Sequence, residues 1–358
     1  MLYHVDRLPL RFERQQKICL FCCLVSNIPR LLRLAAAKIW LRLFRPGAEL
    51  IGIALFEHLG DIVASEPIVR FLRRENPGAF IIWFVGAPYR EIVETHPCID
   101  MVVPLQHLSE WIILRRFGFL DRIFDLHLPG RICDVCRVPL VKFAGNQSIN
   151  KLNYYSFGNL LSVMQQNAGL SAFDDGPQHH IPLGVSYRID RLALPCQFVC
   201  IHCISNEDAR NWEPAKWMKL VRILTQTCRF NVVEVGLDSA LSGFTDPLFT
   251  SLCGRLSLME TAEVIRQANV FAGVDSGPAH LANAVGTYGI ILLGQYREFS
   301  GYMPFSGGYA DGSNATILRH NGPLFGMPLE LVLATLLGRM RNGRDANQYS
   351  PCPDTRTE

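Results

Sequence analysis

Hydrophobic positions along this chain fall into short continuous runs separated by stretches with helical spacing. Leu50 to Phe56 (LIGIALF) is apolar throughout, the pattern of a strand buried on both faces of a parallel sheet. Comparable runs lie at 80–85, 101–103, 122–126 and 141–144, with helical spacing at 62–75, 89–95 and 152–168. Pro67 cannot sit in a regular helix interior, so the helix at 62–75 either starts near Ser65-Glu66 or kinks, which puts Asp61 in a turn. The second half repeats this grammar. Strands are predicted at 198–204, 231–235, 270–274, 289–293 and 316–318, and helices at 215–227, 258–268, 279–285 and 329–341. Such alternation predicts an α/β fold with parallel sheets. Residues 176–193 break the rhythm with Pro177, Pro182 and Gly184 and are read as an inter-domain linker. The expected domains are 49–185 and 186–341, with a distinct extension at 1–48 and a polar tail at 342–358 expected to be disordered.

The extension has two parts. Ile18 to Val25 is an eight-residue apolar run, too short to span a bilayer. Asn27-Ile28-Pro29-Arg30 follows it instead of a small-x-small cleavage site. Ile28 to Phe44 reads as a basic amphipathic helix, with Arg30, Arg33, Lys38, Arg42 and Arg45 on one half of the wheel. It either contacts a membrane surface through residues 28–45 or packs on its own domain with the basic face in water.

Composition narrows the function. A length of 358 residues suits two domains. Hydrophobic content of 49% against 19% charged residues indicates a well-buried globular protein, and a net charge of +3 is too small to imply a nucleic-acid partner. Twelve cysteines are too few for a disulfide scaffold, and several lie in apolar runs, which points to a reducing compartment. Cys133-Asp134-Val135-Cys136 is a single CxxC with no second pair at zinc spacing, and no metal is assigned to it. Cys196, Cys200 and Cys203 share the spacing of the iron–sulfur triad of radical S-adenosylmethionine enzymes. A strand at 198–204 would turn Cys200 and Cys203 to opposite faces, so core packing is preferred.

Ligands of doubly wound sheets sit outside the carboxyl ends of the strands, and three turns there carry chemistry. Leu59-Gly60-Asp61 follows the first strand; Gly60 allows close approach, and Asp61 is a candidate general base or an N-cap. Ser205 to Trp212 follows a second-half strand, and the fork of Arg210 suits a diphosphate. The alternative is a solvated loop with Arg210 paired to Glu207 or Asp208. The third turn, Asp275-Ser276-Gly277-Pro278, joins an apolar strand to a small-residue helix. This is a ready anion site, with Ser276 adding a hydroxyl and Asp275 and His280 adding groups to hold a ribose or a second phosphate oxygen. Each of these residues also suits a plain helix start.

Together, Leu59-Gly60-Asp61, the R-x-W-x-x-x-x-W pattern of Arg210, Trp212 and Trp217, and GVDSGPAHLANAVG at 273–286 resemble glycosyltransferase family 9 over roughly residues 50 to 340. Its best-known members are ADP-heptose:lipopolysaccharide heptosyltransferases. The resemblance implies a GT-B architecture, two Rossmann-like doubly wound parallel-sheet domains facing across a cleft. It implies inverting sugar transfer from a nucleotide-diphosphate donor to a glycan or lipid-linked saccharide, without a metal or other cofactor. No D-x-D occurs here, in keeping with that. It makes the match of Asp61 the base and the matches of Asp275, Ser276, Gly277 and His280 donor-binding. Ser205 and Asp238 are further donor-side candidates. Arg210 stands where the family has a lysine, and Gly236-Leu237-Asp238-Ser239 stands where the family has a glycine- and glutamate-rich region. The expected location is cytoplasmic, peripheral on the inner face of the cytoplasmic membrane. Rival readings are a GT-B-type nucleotide-sugar epimerase and a non-catalytic nucleotide-sugar binding protein.

Overall fold

The computed structural model describes residues 14–142, 144–299 and 301–346. The chain divides into two compact units, Met1–Phe173 and Asp174–Glu358, each built on its own parallel sheet.

In the first unit, β1 (Leu50–Leu55), β2 (Phe80–Gly86), β3 (Met101–Leu105) and β4 (Arg122–Asp125) lie in the order β3-β2-β1-β4. Every pairing is parallel, with Ile51 opposite both Ile81 and Arg122. β1 is buried along its whole length, as a strand covered on both faces must be. The expected helix at 62–75 is two helices, α2 (Leu59–Ala64) and α3 (Glu66–Glu75), which meet at Ser65 with Pro67 in the first turn of α3. Proline there gives up an amide that has no intrahelical acceptor anyway. Asp61 therefore sits in the first turn of α2 and not in a loop. α4 (Arg90–Glu94) and α5 (Leu108–Leu114) follow β2 and β3. Val141 and Lys142 form no strand; Lys142 instead turns its ammonium onto the carbonyls of Asp125, His127 and Asn167. The helix expected from 152 begins only at Leu160 as α6 (Leu160–Ala168), because Gly158 takes a φ of 113° and Asn159 caps the Ser162 amide.

The extension is one continuous helix, α1 (Arg14–Phe44), carried through Pro29. Its span 16–44 is long and apolar enough to cross a membrane by length and composition, so the eight-residue estimate was too short. One side of α1 packs on the first unit through Cys23, Leu34 and Leu41, which share a core with β1, β2 and Trp111 of α5. The basic residues do not all face water: Arg30 pairs with buried Glu110 at 3.1 Å, and Lys38 pairs with Asp121. The uncovered side is apolar instead. Phe21, Leu32, Ile39 and Leu43 are 64, 65, 58 and 69% exposed, and their spacing puts them on one stripe of the helix.

In the second unit, the segment read as a linker carries α7 (Leu183–Asp190), anchored by Val185 and Ile189. The sheet comprises β5 (Phe198–His202), β6 (Asn231–Glu234), β7 (Phe249–Ser251), β8 (Val270–Val274), β9 (Gly289–Leu293) and β10 (Ala315–Arg319). Its order is β10-β9-β8-β5-β6-β7, all parallel. This is the doubly wound Rossmann order, with the topological switch between β5 and β8. Helices α8 (Pro214–Arg222), α9 (Leu258–Gln267), α10 (Gly277–Ala284) and α11 (Leu329–Ala346) complete it. α11 continues beyond the expected end at 341, and the expected disorder of the tail falls, from 347 on, outside the described residues.

Candidate functional site

The switch between β5 and β8 brings two of the three sequence-predicted turns together. Asp275 follows the last residue of β8, and its carboxylate is buried. A buried anion requires partners, and the loop after β5 supplies them. Arg210 donates from Nη1 to Asp275 Oδ2 at 3.1 Å, and the Tyr302 hydroxyl donates to the same oxygen at 3.2 Å. Arg210 also donates from Nη2 to Asn206 Oδ1 at 2.8 Å, and its guanidinium lies 5.0 Å from the Tyr296 ring centre. It is paired with Asp275, not with Glu207 or Asp208. Its Nε–H is buried and has no partner among the described residues. Burial pulls the guanidinium's pKa down, but the adjacent Asp275 carboxylate outweighs this and raises it, so Arg210 is a fixed cation.

His280 lies one turn into α10 with Nε2 3.9 Å from Asp275 Oδ1, and it packs on Phe305. Burial pushes its pKa down to about 4, with Arg210 adding to the effect and Asp275 opposing it. It is therefore a neutral imidazole at pH 7. Its Nδ1 is buried without a partner among the described residues. Ser276 is the N-cap residue of α10 in extended conformation, but its hydroxyl donates to the Val274 carbonyl at 3.1 Å. Gly277 and Pro278 open the helix, and the first amides of any helix lack an i−4 acceptor.

Ser205 is engaged in shaping its own loop. Its hydroxyl donates to the Glu207 carbonyl at 2.9 Å, and its amide donates to Asn211 Oδ1 at 2.7 Å. Trp212 and Trp217 are buried, edge to face at 5.0 Å, and Trp212 Nε1 donates to the Met327 carbonyl. The tryptophans of the motif are thus core anchors that hold the Arg210 loop. Asp238 is exposed in the loop after β6. The acid that this loop buries is Glu234, which accepts from Ser239 and Ser251 hydroxyls and the Ala240 amide.

The first unit has a corresponding switch between β1 and β4. Gly60 and Asp61 lie in the first turn of α2 after β1. The Asp61 charge, secondary to burial, raises the Tyr89 phenol, which places the two close together. After β4 stands a cluster that sequence reasoning missed. Asp125 accepts from Trp111 Nε1 at 2.8 Å and from His127 Nδ1 at 2.8 Å, and His127 Nε2 accepts the Phe56 amide at 2.9 Å. An amide donor at Nε2 requires the proton to be on Nδ1, so one tautomer is fixed. Burial opposes ionisation of Asp125, but the hydrogen bonds from His127 and Trp111 and the charge of Lys142 hold it well below the ordinary carboxylate range. Burial brings Lys142 down to about 8 against the pull of Asp125. The only trace of this cluster in the sequence is an acid and a histidine two residues apart at a strand end.

With this geometry in hand, comparison places the chain. Residues 189–300 match glycosyltransferase family 9 (heptosyltransferase). Lipopolysaccharide heptosyltransferase 3 of Escherichia coli is 29% identical over 114 residues, which is 30% of this chain and 34% of that protein. The match thus spans about a third of the curated relative. The crystal structure of a family 9 glycosyl transferase from Veillonella parvula DSM 2008 superposes with a TM-score of 0.63 at 14% identity, covering 82% of this chain and 97% of its own. E. coli ADP-heptose lps heptosyltransferase II gives 0.62 at 17%, covering 82% and 99%. The chain resembles glycosyltransferase family 9, and its fold is the two-domain GT-B α/β fold of these structures.

Proposed function

We propose that this chain is an inverting, metal-independent glycosyltransferase of the heptosyltransferase type. It moves a sugar from a nucleoside-diphosphate donor to a hydroxyl of a glycan or lipid-linked saccharide. The observation that carries this reading is the Arg210–Asp275 pair at the β5/β8 switch, beside the start of α10, with an unpartnered guanidinium Nε–H and imidazole Nδ1. A diphosphate is the ligand class that engages a fixed guanidinium and opening helix amides together. Asp275 then acts by orienting Arg210. Gly277 leaves the amides uncovered, Ser276 and His280 border the phosphates, and Ser205 shapes the loop. Asp238, exposed after β6, is the remaining donor-side candidate. The names of the similar proteins suggest ADP-heptose as the first donor to test.

In the reaction, an acceptor hydroxyl oxygen attacks the anomeric carbon on the face opposite the diphosphate. Asp61 takes the hydroxyl proton, with Gly60 allowing close approach. The bond from the anomeric carbon to the phosphate oxygen breaks, and its electron pair leaves on the diphosphate. Arg210 and the helix amides stabilise that charge. General-base assistance contributes roughly 10²–10⁴-fold. Asp61→Asn should leave nucleoside-diphosphate binding intact and cut nucleoside-diphosphate release with acceptor at least a hundredfold. Unchanged turnover would remove Asp61 from the base role, and absence of nucleotide binding would remove the donor site.

A lipid-linked acceptor accounts for α1. Its exposed apolar stripe adjoins a mostly apolar groove of about 400 Å³, lined by Phe21 and Leu24 of α1, by Ile112, Ile113 and Phe117, and by one cation, Arg116. Contact with the inner face of the cytoplasmic membrane would cover that stripe, flanked by the cationic Arg33 and Arg42. The triple change Leu32→Ser, Ile39→Ser, Leu43→Ser should abolish co-sedimentation with anionic phospholipid vesicles; retained co-sedimentation would refute the contact.

A further inference from the structure

Cys19 and Cys23 of α1 meet His107, Cys133 and Cys136, far away in sequence, and none of the five is assigned to sugar transfer. Cys19 and Cys23 are one helical turn apart and so share a face of α1. Cys133 and Cys136 occupy the tip of a tight turn closed by the Ile132–Pro139 bridge, by Cys133 N to Val138 O at 2.9 Å and by Arg137 N to Cys133 O at 2.8 Å. Arg137, just past the second cysteine, takes a φ of 53°. The sulfurs of Cys19, Cys23 and Cys136 lie within 4.8 Å of one another, as do His107, Cys133 and Cys136. Cys23 Sγ is 3.8 Å from Cys136 Sγ and 3.7 Å from His107 Nε2, and His107 also hydrogen-bonds Cys133.

We propose that, with its cysteines reduced, this cluster is a structural site for one tetrahedral, thiolate-bound divalent metal ion. Cys19, Cys23, Cys133 and Cys136 are the ligands, and His107 donates a hydrogen bond to a ligand sulfur. Metal–sulfur bonds of about 2.3 Å at tetrahedral angles place sulfurs about 3.8 Å apart, the separation of Cys23 and Cys136. A helix pair and a CxxC turn supply the two halves of an S₄ site, the donor set for zinc or iron. The disulfide between Cys19 and Cys136 uses only two sulfurs and leaves the buried Cys23 and Cys133 thiols unbonded beside it. A glutathione-class thiol opens that disulfide with two electrons and two protons. Metal uptake then displaces four thiol protons. The ion ties α1 to the turn at 133–136 and so fixes the apolar stripe on the first unit.

The test is elemental analysis of the full-length protein purified under thiol reductant, with cobalt(II) as a spectroscopic substitute. The expected result is about one equivalent of zinc or iron per chain. It should fall at least fivefold in Cys133→Ser and in Cys23→Ser and stay unchanged in Cys22→Ser, whose cysteine is exposed. Cobalt(II) added to chelated wild type should give thiolate charge-transfer bands and intense tetrahedral visible bands. Should Cys133→Ser fail to fold, the cobalt spectrum of the wild type decides. Metal below 0.2 equivalents with no tetrahedral cobalt spectrum, or metal retained in Cys133→Ser, overturns the proposal.

Discussion

The two switch points share one design and differ in what their side chains are left to do. In each unit a loop after the first strand meets a loop after the strand on its other side. In the first unit the charged groups there are engaged by the chain itself. Asp125 holds Trp111 and His127, His127 holds the Phe56 amide, and Lys142 covers three carbonyls. In the second unit Arg210 keeps an unpartnered Nε–H, and His280 keeps an unpartnered Nδ1. Buried polar atoms in folded proteins nearly always have partners. Two such orphans beside a helix start support the proposal that a ligand completes the structure there. On the proposed reading, the first switch is a scaffold that holds the chain around Gly60 and Asp61, and the second is a receptor.

Three perturbations separate these roles. The largest effect is expected for Arg210→Ala. It leaves the buried Asp275 carboxylate without its cation, a loss of about 3–5 kcal/mol, and should weaken nucleoside-diphosphate binding at least tenfold. Urea unfolding and calorimetric titration read the two effects. Loss of stability with unchanged affinity would make Arg210 purely structural. Next, His127→Ala strands Asp125 and the Phe56 amide, a cost of about 2–4 kcal/mol, yet should leave nucleoside-diphosphate affinity within twofold. A larger loss of affinity would erase the distinction between the switches. The smallest effect depends on pH. The folded pKa of His280, about 4, lies below its ordinary 6.5. Below pH 6.5 the unfolded chain binds a proton that the folded site refuses, so stability falls between pH 6.5 and 4, by about 2 kcal/mol at pH 5. The urea midpoint of wild type should fall relative to that of His280→Gln as pH drops from 7.5 to 5; parallel curves would place His280 in contact with water.

All the described strands except β7 were legible because parallel-sheet strands are continuous apolar runs; β7 is three half-buried residues with no such run. β8 and β9 match their expected limits of 270–274 and 289–293. The start of α10 was legible from the Ser-Gly-Pro turn. What escaped depends on contacts between distant residues. His127 finds its role in the Phe56 amide, 71 positions away. Lys142 looked like one member of a strand, and its burial among carbonyls has no local signature. The helix expected to start at Ile28 is the second half of α1, which begins by Arg14. The second cysteine pair that Cys133 and Cys136 lacked lies on that helix, more than a hundred residues earlier. The spacing of Arg210, Trp212 and Trp217 was visible, but the division of labour was not: the tryptophans serve the core and the arginine alone reaches the switch.

The central claim is that the β5/β8 switch receives a nucleoside diphosphate. Amide hydrogen exchange of the full-length protein, with and without saturating ADP, UDP, GDP or CDP, tests it most directly. The account predicts that at least one of these slows exchange in residues 205–211 and 275–282 and leaves 122–128 unchanged. If none protects those two segments, or if protection falls only on the first unit, the account is wrong.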